Sequence, residues 1–193
     1  MKIYSKKGDK GTTSFYDGNR ASKFSLNFEV LGEMDELSSR IGLLCVYCPE
    51  NSILRKIQRT LQDFNTYIAT VEKDSKILPS LDDNLLSELE SQIDELELEN
   101  TKLTKFILPG VTLADAQAHL CRTQARKAER CVICLQYTDA VIDITNGGKH
   151  ECLDLKEFIL PDIILKYMNR LSDFFFVFAR WICKKKGYDD FLL

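Results

Sequence analysis

Arg122-Thr123-Gln124-Ala125-Arg126-Lys127-Ala128-Glu129-Arg130 lies in the middle of a run, Val111 to Tyr137, that contains neither Gly nor Pro and is rich in Ala. Such a run is predicted to be a single helix. At about 100° per residue, Arg122, Arg126, Glu129 and Arg130 fall within one narrow stripe. A quarter-turn away, Ala114, Ala118, Cys121, Ala125, Ala128 and Val132 form a second stripe, apolar but built from small side chains. Small side chains let a neighbouring helix approach closely, so the guanidinium row is expected beside a tight helix contact. Its spacing alone allows two readings, an anion-holding face and a solvated basic face.

Helical periodicity continues on both sides of this run. From Asn27 to about Cys48, Val30, Met34, Leu37, Ile41 and Leu44 share one stripe, and Ser22 or Ser25 is expected to cap that helix. Asp35 lies on a different stripe, among Gly32, Ser39 and Gly42. That setting suits close approach of a helix or flat ligand, or an exposed acid on a packing face. A second helix is predicted over Glu50 to Val71, with Ile53, Leu54, Ile57, Leu61, Phe64 and Ile68 inward, and a third over Leu81 to Asn100. Phe106-Ile107-Leu108-Pro109-Gly110 reads as a turn or extended lead-in, with Thr112 as cap of the helix that follows. Pro161 opens a last helix, Asp162 to about Lys186, in which Asn169, Asp173, Phe176 and Arg180 share a stripe beside apolar Phe175, Ala179 and Ile182. Asn and Asp turned inward next to Phe imply either a site or a hydrogen-bonded core network. Residues 138–160, with Asn146-Gly147-Gly148, read as a long polar loop, either a lid or an exposed elaboration. The fold class that follows is all-α: a single domain over residues 1–193, a five-helix bundle of the ferritin-like up-and-down type.

The first 23 residues read differently. Residues 1–20 hold three glycines, four lysines and a Ser/Thr cluster without periodicity. Glycine lets backbone N–H groups approach a ligand, lysine supplies charge, and hydroxyls donate or reach a metal, which suits phosphate. A flexible basic terminus fits the same composition. No Gly-x-x-x-x-Gly-Lys-Ser/Thr loop is present.

Composition narrows the classes. The 193 residues carry a net charge of −3, which does not indicate a general nucleic-acid binder. No apolar run is long enough to span a membrane, and residues 1–9 have neither an apolar nor an Arg-rich leader character, so a cytoplasmic protein is expected. Seven cysteines argue against a complete disulfide framework. Cys45/Cys48 and Cys131/Cys134 have Cys-x-x-Cys spacing. They sit in apolar helical runs, however, and are read as buried reduced thiols rather than a zinc site. His119 and His150 have no ligand-like spacing, so no side-chain metal cluster is expected.

Five stretches, in order along residues 2 to 182, resemble one family. They are Lys2-Ile3-Tyr4-Ser5-Lys6-Lys7-Gly8-Asp9-Lys10-Gly11-Thr12-Thr13-Ser14, Asp35-Glu36-Leu37, Phe106-Ile107-Leu108-Pro109-Gly110, Arg122 to Arg130, and Tyr167-Met168-Asn169-Arg170-Leu171-Ser172-Asp173-Phe174-Phe175-Phe176. Together they resemble the ATP:cob(I)alamin adenosyltransferases of the propanediol-utilisation type. The resemblance implies a homotrimer with active sites between subunits and transfer of the 5′-deoxyadenosyl group of ATP to Co(I) of cobalamin or a precursor corrinoid, releasing triphosphate. It implies an ATP site made of Ser5, Lys6, Lys7, Gly8, Thr13 and Ser14, with Lys23 nearby, completed by Arg126, Lys127, Ala128, Glu129, Arg130 and Asn169. Mg²⁺ is implied as held mainly by ATP. Arg122 is implied to meet Asp35 across the interface, Phe106 to face the corrin and keep cobalt free of its base, and Phe176 to belong to the same interface and corrinoid set. Arg126, Asp35 and Phe106 are the implied catalytic set. A flavin reductase or a cobalamin-dependent mutase are the protein partners that would accompany such an activity.

Co(I) is itself a strong nucleophile, so such an enzyme needs no activated side chain. It has to align the 5′ carbon and neutralise the leaving triphosphate. The chain departs from the family pattern in several places. Lys7 stands where a Thr is usual, Val111 where a second Gly is frequent, and Lys127 where Arg is frequent. The 138–160 segment is longer, and Phe191-Leu192-Leu193 is a shorter tail than in relatives with a corrin-contacting aromatic there. The alternative reading is a helical ATP- or corrinoid-binding module without transfer activity.

Overall fold

In a computed structural model, which describes residues 4, 6–71, 76, 78–137, 141–146, 149–154 and 160–193, the long Ala-rich run is the central helix. This helix, α4 (Leu113–Tyr137), packs on one side against α1 (Leu26–Tyr47) and on the other against α5 (Asp162–Lys185). The small-residue stripe is what allows it to serve two neighbours: Ala114, Ala118, Cys121, Ala125, Ala128 and Val132 are all fully buried. Helix α2 (Ser52–Ile68) lies on α1, and α3 (Leu85–Glu99) lies on α5. The bundle is closed by Lys56 of α2 with Glu88 of α3, and by an edge-on Phe64–Tyr167 contact from α2 to α5 at 5.4 Å. The predicted α1 stripe and five of the six α2 positions are fully buried. Ile53, near the first turn of α2, is only half-buried.

Among the described residues the chain is mostly helical, but three short antiparallel strand pairs add to the five helices. The N-terminal loop contains a hairpin, β1 (Thr12–Ser14) with β2 (Arg20–Ser22). Its turn is tightened by Asp17, whose carboxylate accepts from Asn19 N–H at 3.2 Å. The other Asp17 oxygen accepts from Val71 N–H at 2.7 Å, and Tyr16 N–H donates to the Ala69 carbonyl at 2.7 Å. Phe15 is buried against Phe28, ring centroids 4.9 Å apart. These contacts dock the hairpin on the start of α1 and the end of α2, so the segment is not a detached basic terminus.

Phe106-Ile107-Leu108 is extended, as expected, and has a partner: β3 (Ile107–Leu108) pairs with β6 (Phe191–Leu192). Within the segment expected to be a long loop, β4 (Val141–Asn146) pairs with β5 (Lys149–Asp154), and residues 138–140, 147–148 and 155–159 lie outside the described residues. Val-Ile-Asp-Ile-Thr before Asn-Gly-Gly is a hairpin signal that helical periodicity does not detect. Ser25 occupies the N-cap position of α1, yet its side chain makes no capping bond. Thr112 does cap α4, its Oγ1 accepting from Asp115 N–H at 3.2 Å. Among the described residues no helix is long and apolar enough to cross a membrane.

Candidate active site

The guanidinium row borders a groove between α4 and α5. Arg122 and Arg126 line a cavity of about 290 Å³ with Ser172, Asp173, Phe176 and Val177. Helix α4 brings the two arginines there because they are one turn apart on the same stripe. Arg122 is half-buried, and its Nε donates to His119 Nδ1 at 3.2 Å. Burial pushes the His119 pKa below its ordinary value, and the Arg122 charge adds to that. A neutral imidazole can accept this bond. The same ring meets Phe176 edge-on at 6.2 Å, so His119 orients both residues from beneath the groove. Sequence reading set His119 aside as a non-ligand; its position three residues before Arg122 was the available signal.

Further along the groove, Asn169 Nδ2 donates to Glu129 Oε1 at 2.7 Å. Arg130 Nη1 donates to the Arg126 carbonyl at 3.0 Å. The stripes of α4 and α5 therefore meet at Glu129 and Asn169, as the resemblance implies, while the expectation from periodicity needs two corrections. Asn169 and Asp173 are exposed along the groove, not turned into the core, because the apolar side of α5 is filled by Phe174, Phe175 and Phe178. Arg180, placed on the same stripe, leaves the groove. It is buried and pairs with Asp190 at 2.9 Å.

Two residues of the Arg122–Arg130 stretch face elsewhere. Ala128 is fully buried in the core, so its methyl group packs between helices and does not line the groove. Lys127 Nζ lies 2.6 Å from Glu33 Oε1 on α1, and Gln124 Nε2 donates to the same carboxylate at 2.7 Å. Burial alone would raise the Glu33 pKa, but the bonds from Lys127 and Gln124 and the Lys127 charge bring it below the ordinary value. Glu33 is a buried acid that sequence reading missed, because Val30 and Met34 dominate the stripe around it.

The N-terminal hairpin gathers a second set of groups. Lys23 follows β2, and its N–H donates to the Gly11 carbonyl at 2.9 Å. A Cβ on Gly8 would lie 3.1 Å from Lys23 Nζ, so any larger residue there would push the ammonium a few tenths of an ångström away from the backbone it now lies against. Arg20 Nη2 donates to the Lys7 carbonyl at 3.1 Å and also to Thr12 Oγ1. Lys6 adopts a left-handed φ of 60°, a conformation that costs a non-glycine residue about 1 kcal/mol. Lys6, Lys7, Gly8, Thr13, Ser14 and Lys23 are thus collected at one end of the bundle, while Ser5 lies outside the described residues. Beside them, Tyr16, Gly32, Asp35, Asn65 and Thr66 help line a cavity of about 450 Å³ between α1 and α2.

Asp35 and Arg122 line different cavities that share no lining residue. One copy of the chain presents the acid on its α1–α2 face and the arginines on its α4–α5 face. Phe106 stands apart from both sets, 85% exposed ahead of β3. The turn after it is organised by Asp115, a buried carboxylate that accepts from the N–H groups of Gly110 at 3.0 Å, Val111 at 3.3 Å and Thr112. Gly110 supplies the φ of 106° that the turn requires, and the Val111 side chain is accommodated without a second glycine. Burial by itself would raise the Asp115 pKa, but the backbone donors of Thr112, Gly110 and Val111 together with the Thr112 side chain outweigh it and leave the acid below its ordinary value. Thr112-x-x-Asp115 was the sequence signal for this arrangement.

Among the described residues no group of three or more His, Cys, Asp or Glu is placed to hold a metal ion. The hydroxyls of Thr13 and Ser14 suit a hard cation that arrives with phosphate oxygens already bound, not one held by the protein alone. Cys45, Cys48, Cys121 and Cys183 are buried free thiols. Cys131 is half-buried, and Cys134 is exposed, unlike the expectation for that pair.

The family model for cobalamin adenosyltransferases matches residues 3–182. A corrinoid adenosyltransferase of Bacillus subtilis is 36% identical over 199 residues, covering 98% of this chain and 91% of its own length. The corrinoid adenosyltransferase MMAB of Bos taurus is 34% identical over 195 residues, covering 96% and 73% respectively. A variant PduO-type ATP:corrinoid adenosyltransferase from Lactobacillus reuteri, solved with cobalamin and ATP, superposes with a TM-score of 0.81 at 28% identity, covering 100% of this chain and 96% of that one.

Proposed function

The chain belongs to the cobalamin adenosyltransferase family, and from that premise we propose that it transfers the 5′-deoxyadenosyl group of ATP to the Co(I) of cobalamin or a related corrinoid. The bond formed joins cobalt to the 5′ carbon, and the bond broken releases triphosphate. The observation that carries this reading is a phosphate-suited loop and an arginine-lined groove on one chain that belongs to this family.

The chain's own groups divide the work. Lys6, Lys7 and Lys23, with backbone groups around Gly8, bind the triphosphate, and Thr13 and Ser14 offer hydroxyls to it or to its Mg²⁺. The cation adds charge neutralisation for the leaving group. Arg126 and Arg130 face developing negative charge in the groove, where preorganised donors favour the transition state over the ground state. Glu129 and Asn169, already bonded to each other, position the nucleoside side. Lys127 and Ala128 support this site through packing and the Glu33 pair, not through direct contact. Phe106 presents an exposed ring to the corrin and excludes an axial ligand from cobalt.

The separation of Asp35 from Arg122 supports a trimer in which the α1–α2 face of one subunit meets the α4–α5 face of the next. A heterologous contact closes into a ring when its rotation is a simple fraction of a turn, one third for a trimer. Half-buried Arg122, oriented by His119, would then meet Asp35 of the next copy.

The test is anaerobic incubation of the protein with cob(I)alamin and Mg-ATP, followed by chromatography of both products. Adenosylcobalamin together with intact triphosphate is expected. ATP bound without formation of adenosylcobalamin would reject transfer and favour a binding module.

A further inference from the structure

Phe106 is 85% exposed, so its ring is held by its backbone and not by packing of its side chain. That backbone is fixed from two sides. On one side, Asp115 holds the N–H groups of Gly110, Val111 and Thr112. On the other, the Phe106 carbonyl accepts from Leu193 N–H at 2.9 Å, and β3 pairs with β6, Ile107 with Leu192 and Leu108 with Phe191. A two-residue strand pair is too short to persist by itself. Something must therefore hold β6 in place.

The group in position to do so is Arg180. Its side chain is 3% exposed, on α5, and its Nε donates to Asp190 Oδ2 at 2.9 Å, one residue before β6. The same guanidinium reaches the Thr101 carbonyl and lies 3.5 Å from Glu97 Oε1. Arg180 thus joins the end of α3, the core helix α5 and the segment leading into β6. A planar guanidinium with five donors suits such a three-way junction, and Lys would not reproduce it. The reading of the Asn169–Asp173–Phe176–Arg180 stripe as one site leaves this residue unassigned.

We propose that Arg180, through its buried pairing with Asp190, is a positioning residue for Phe106, holding β6 against β3 so that the ring is presented at a fixed place and angle. The effect on corrinoid rests on the reading of Phe106 as the corrin-facing residue, whereas the effect on the strand pair does not.

Asp190→Asn is the variant of choice, because it weakens the latch while leaving Arg180 bonded to Thr101 and Glu97, so the core stays satisfied. Hydrogen exchange measured by mass spectrometry is expected to run about tenfold faster in peptides spanning residues 106–108 and 191–193, with peptides of α1 and α2 unchanged. Calorimetric ATP affinity is expected to match the parent. With cob(II)alamin and ATP bound, the absorption and electron paramagnetic resonance signature of base-displaced cobalt is expected to weaken in Asp190→Asn, and more so in Phe106→Ala. Unchanged exchange in residues 106–108 would overturn the proposal outright. Faster exchange with a full base-displaced signature, while Phe106→Ala loses it, would overturn the positioning role and leave the reading of Phe106 standing. A full signature in both variants would reject the corrin-facing reading of Phe106 and, with it, the consequence proposed for Arg180.

Discussion

Arg126 and Phe106 separate the two halves of the proposed chemistry at the scale of single residues. Arg126 is exposed in the α4–α5 groove, and Phe106 stands outside it. Losing a charge-assisted hydrogen bond costs about 1.5–3 kcal/mol, so Arg126→Ala is expected to lower kcat/KM for ATP by roughly 10- to 100-fold. Phe106→Ala is expected to lower kcat while leaving ATP affinity near the parental value. Steady-state kinetics in both substrates checks this division, and equal loss of ATP binding in both variants would contradict it. Asp115 makes a different prediction. Its folded pKa is below the ordinary 3.8, so its stabilisation is complete above that value and is lost as pH falls through the lower folded value. Asp115→Asn is therefore expected to lower Tm at neutral pH, with the gap to the parent closing in strong acid. A gap independent of pH would reject the role assigned to the carboxylate. Thr112 was legible as a cap, but the buried acids Glu33 and Asp115 were not. Their burial depends on partners such as Lys127 and the 110–112 turn, which periodicity does not reveal.

Among the elements, α4 carries the most information in sequence and in space. Its two stripes could be read because a 25-residue helix repeats its pattern many times. The packing stripe predicts a measurable cost. Ala125→Leu inserts a large side chain where α1 and α5 approach, and overpacking of this kind costs about 1–3 kcal/mol. Thr123→Leu, on the exposed face, is expected to be nearly neutral. Urea unfolding midpoints distinguish the two, and equal midpoints would mean that the small stripe is not a tight contact. The β1–β2 and β3–β6 pairs were not legible for the opposite reason. β1, β2, β3 and β6 are two or three residues long, too short for alternation, and β3 finds its partner more than 80 residues away. Helix α5 shows a mixed case: Asp173 and Phe176 do line the groove and Asn169 bonds to Glu129 of α4, but Arg180, one turn further, is captured by Asp190.

At the scale of the whole molecule, the two residue sets of the proposed site face different ways. The hairpin with Gly8 and Lys23 is docked where α1 begins and α2 ends, and Arg122 and Arg126 open onto the α4–α5 groove. Periodicity could place each residue on a helix face but could not show that the two faces of one chain are separate, since that depends on how α4 is sandwiched between α1 and α5. The separation allows a direct measurement. Lys23→Ala disables the phosphate side and Arg126→Ala the groove side, and each variant alone is expected to be nearly inactive. If the two halves of every site come from adjacent subunits, unfolding and refolding the variants together at equal ratio restores sites in which neither half is altered. Random pairing gives about a quarter of parental adenosylcobalamin formation, with triphosphate released in step. Activity in the co-refolded mixture no higher than in either variant alone would contradict a site shared between subunits.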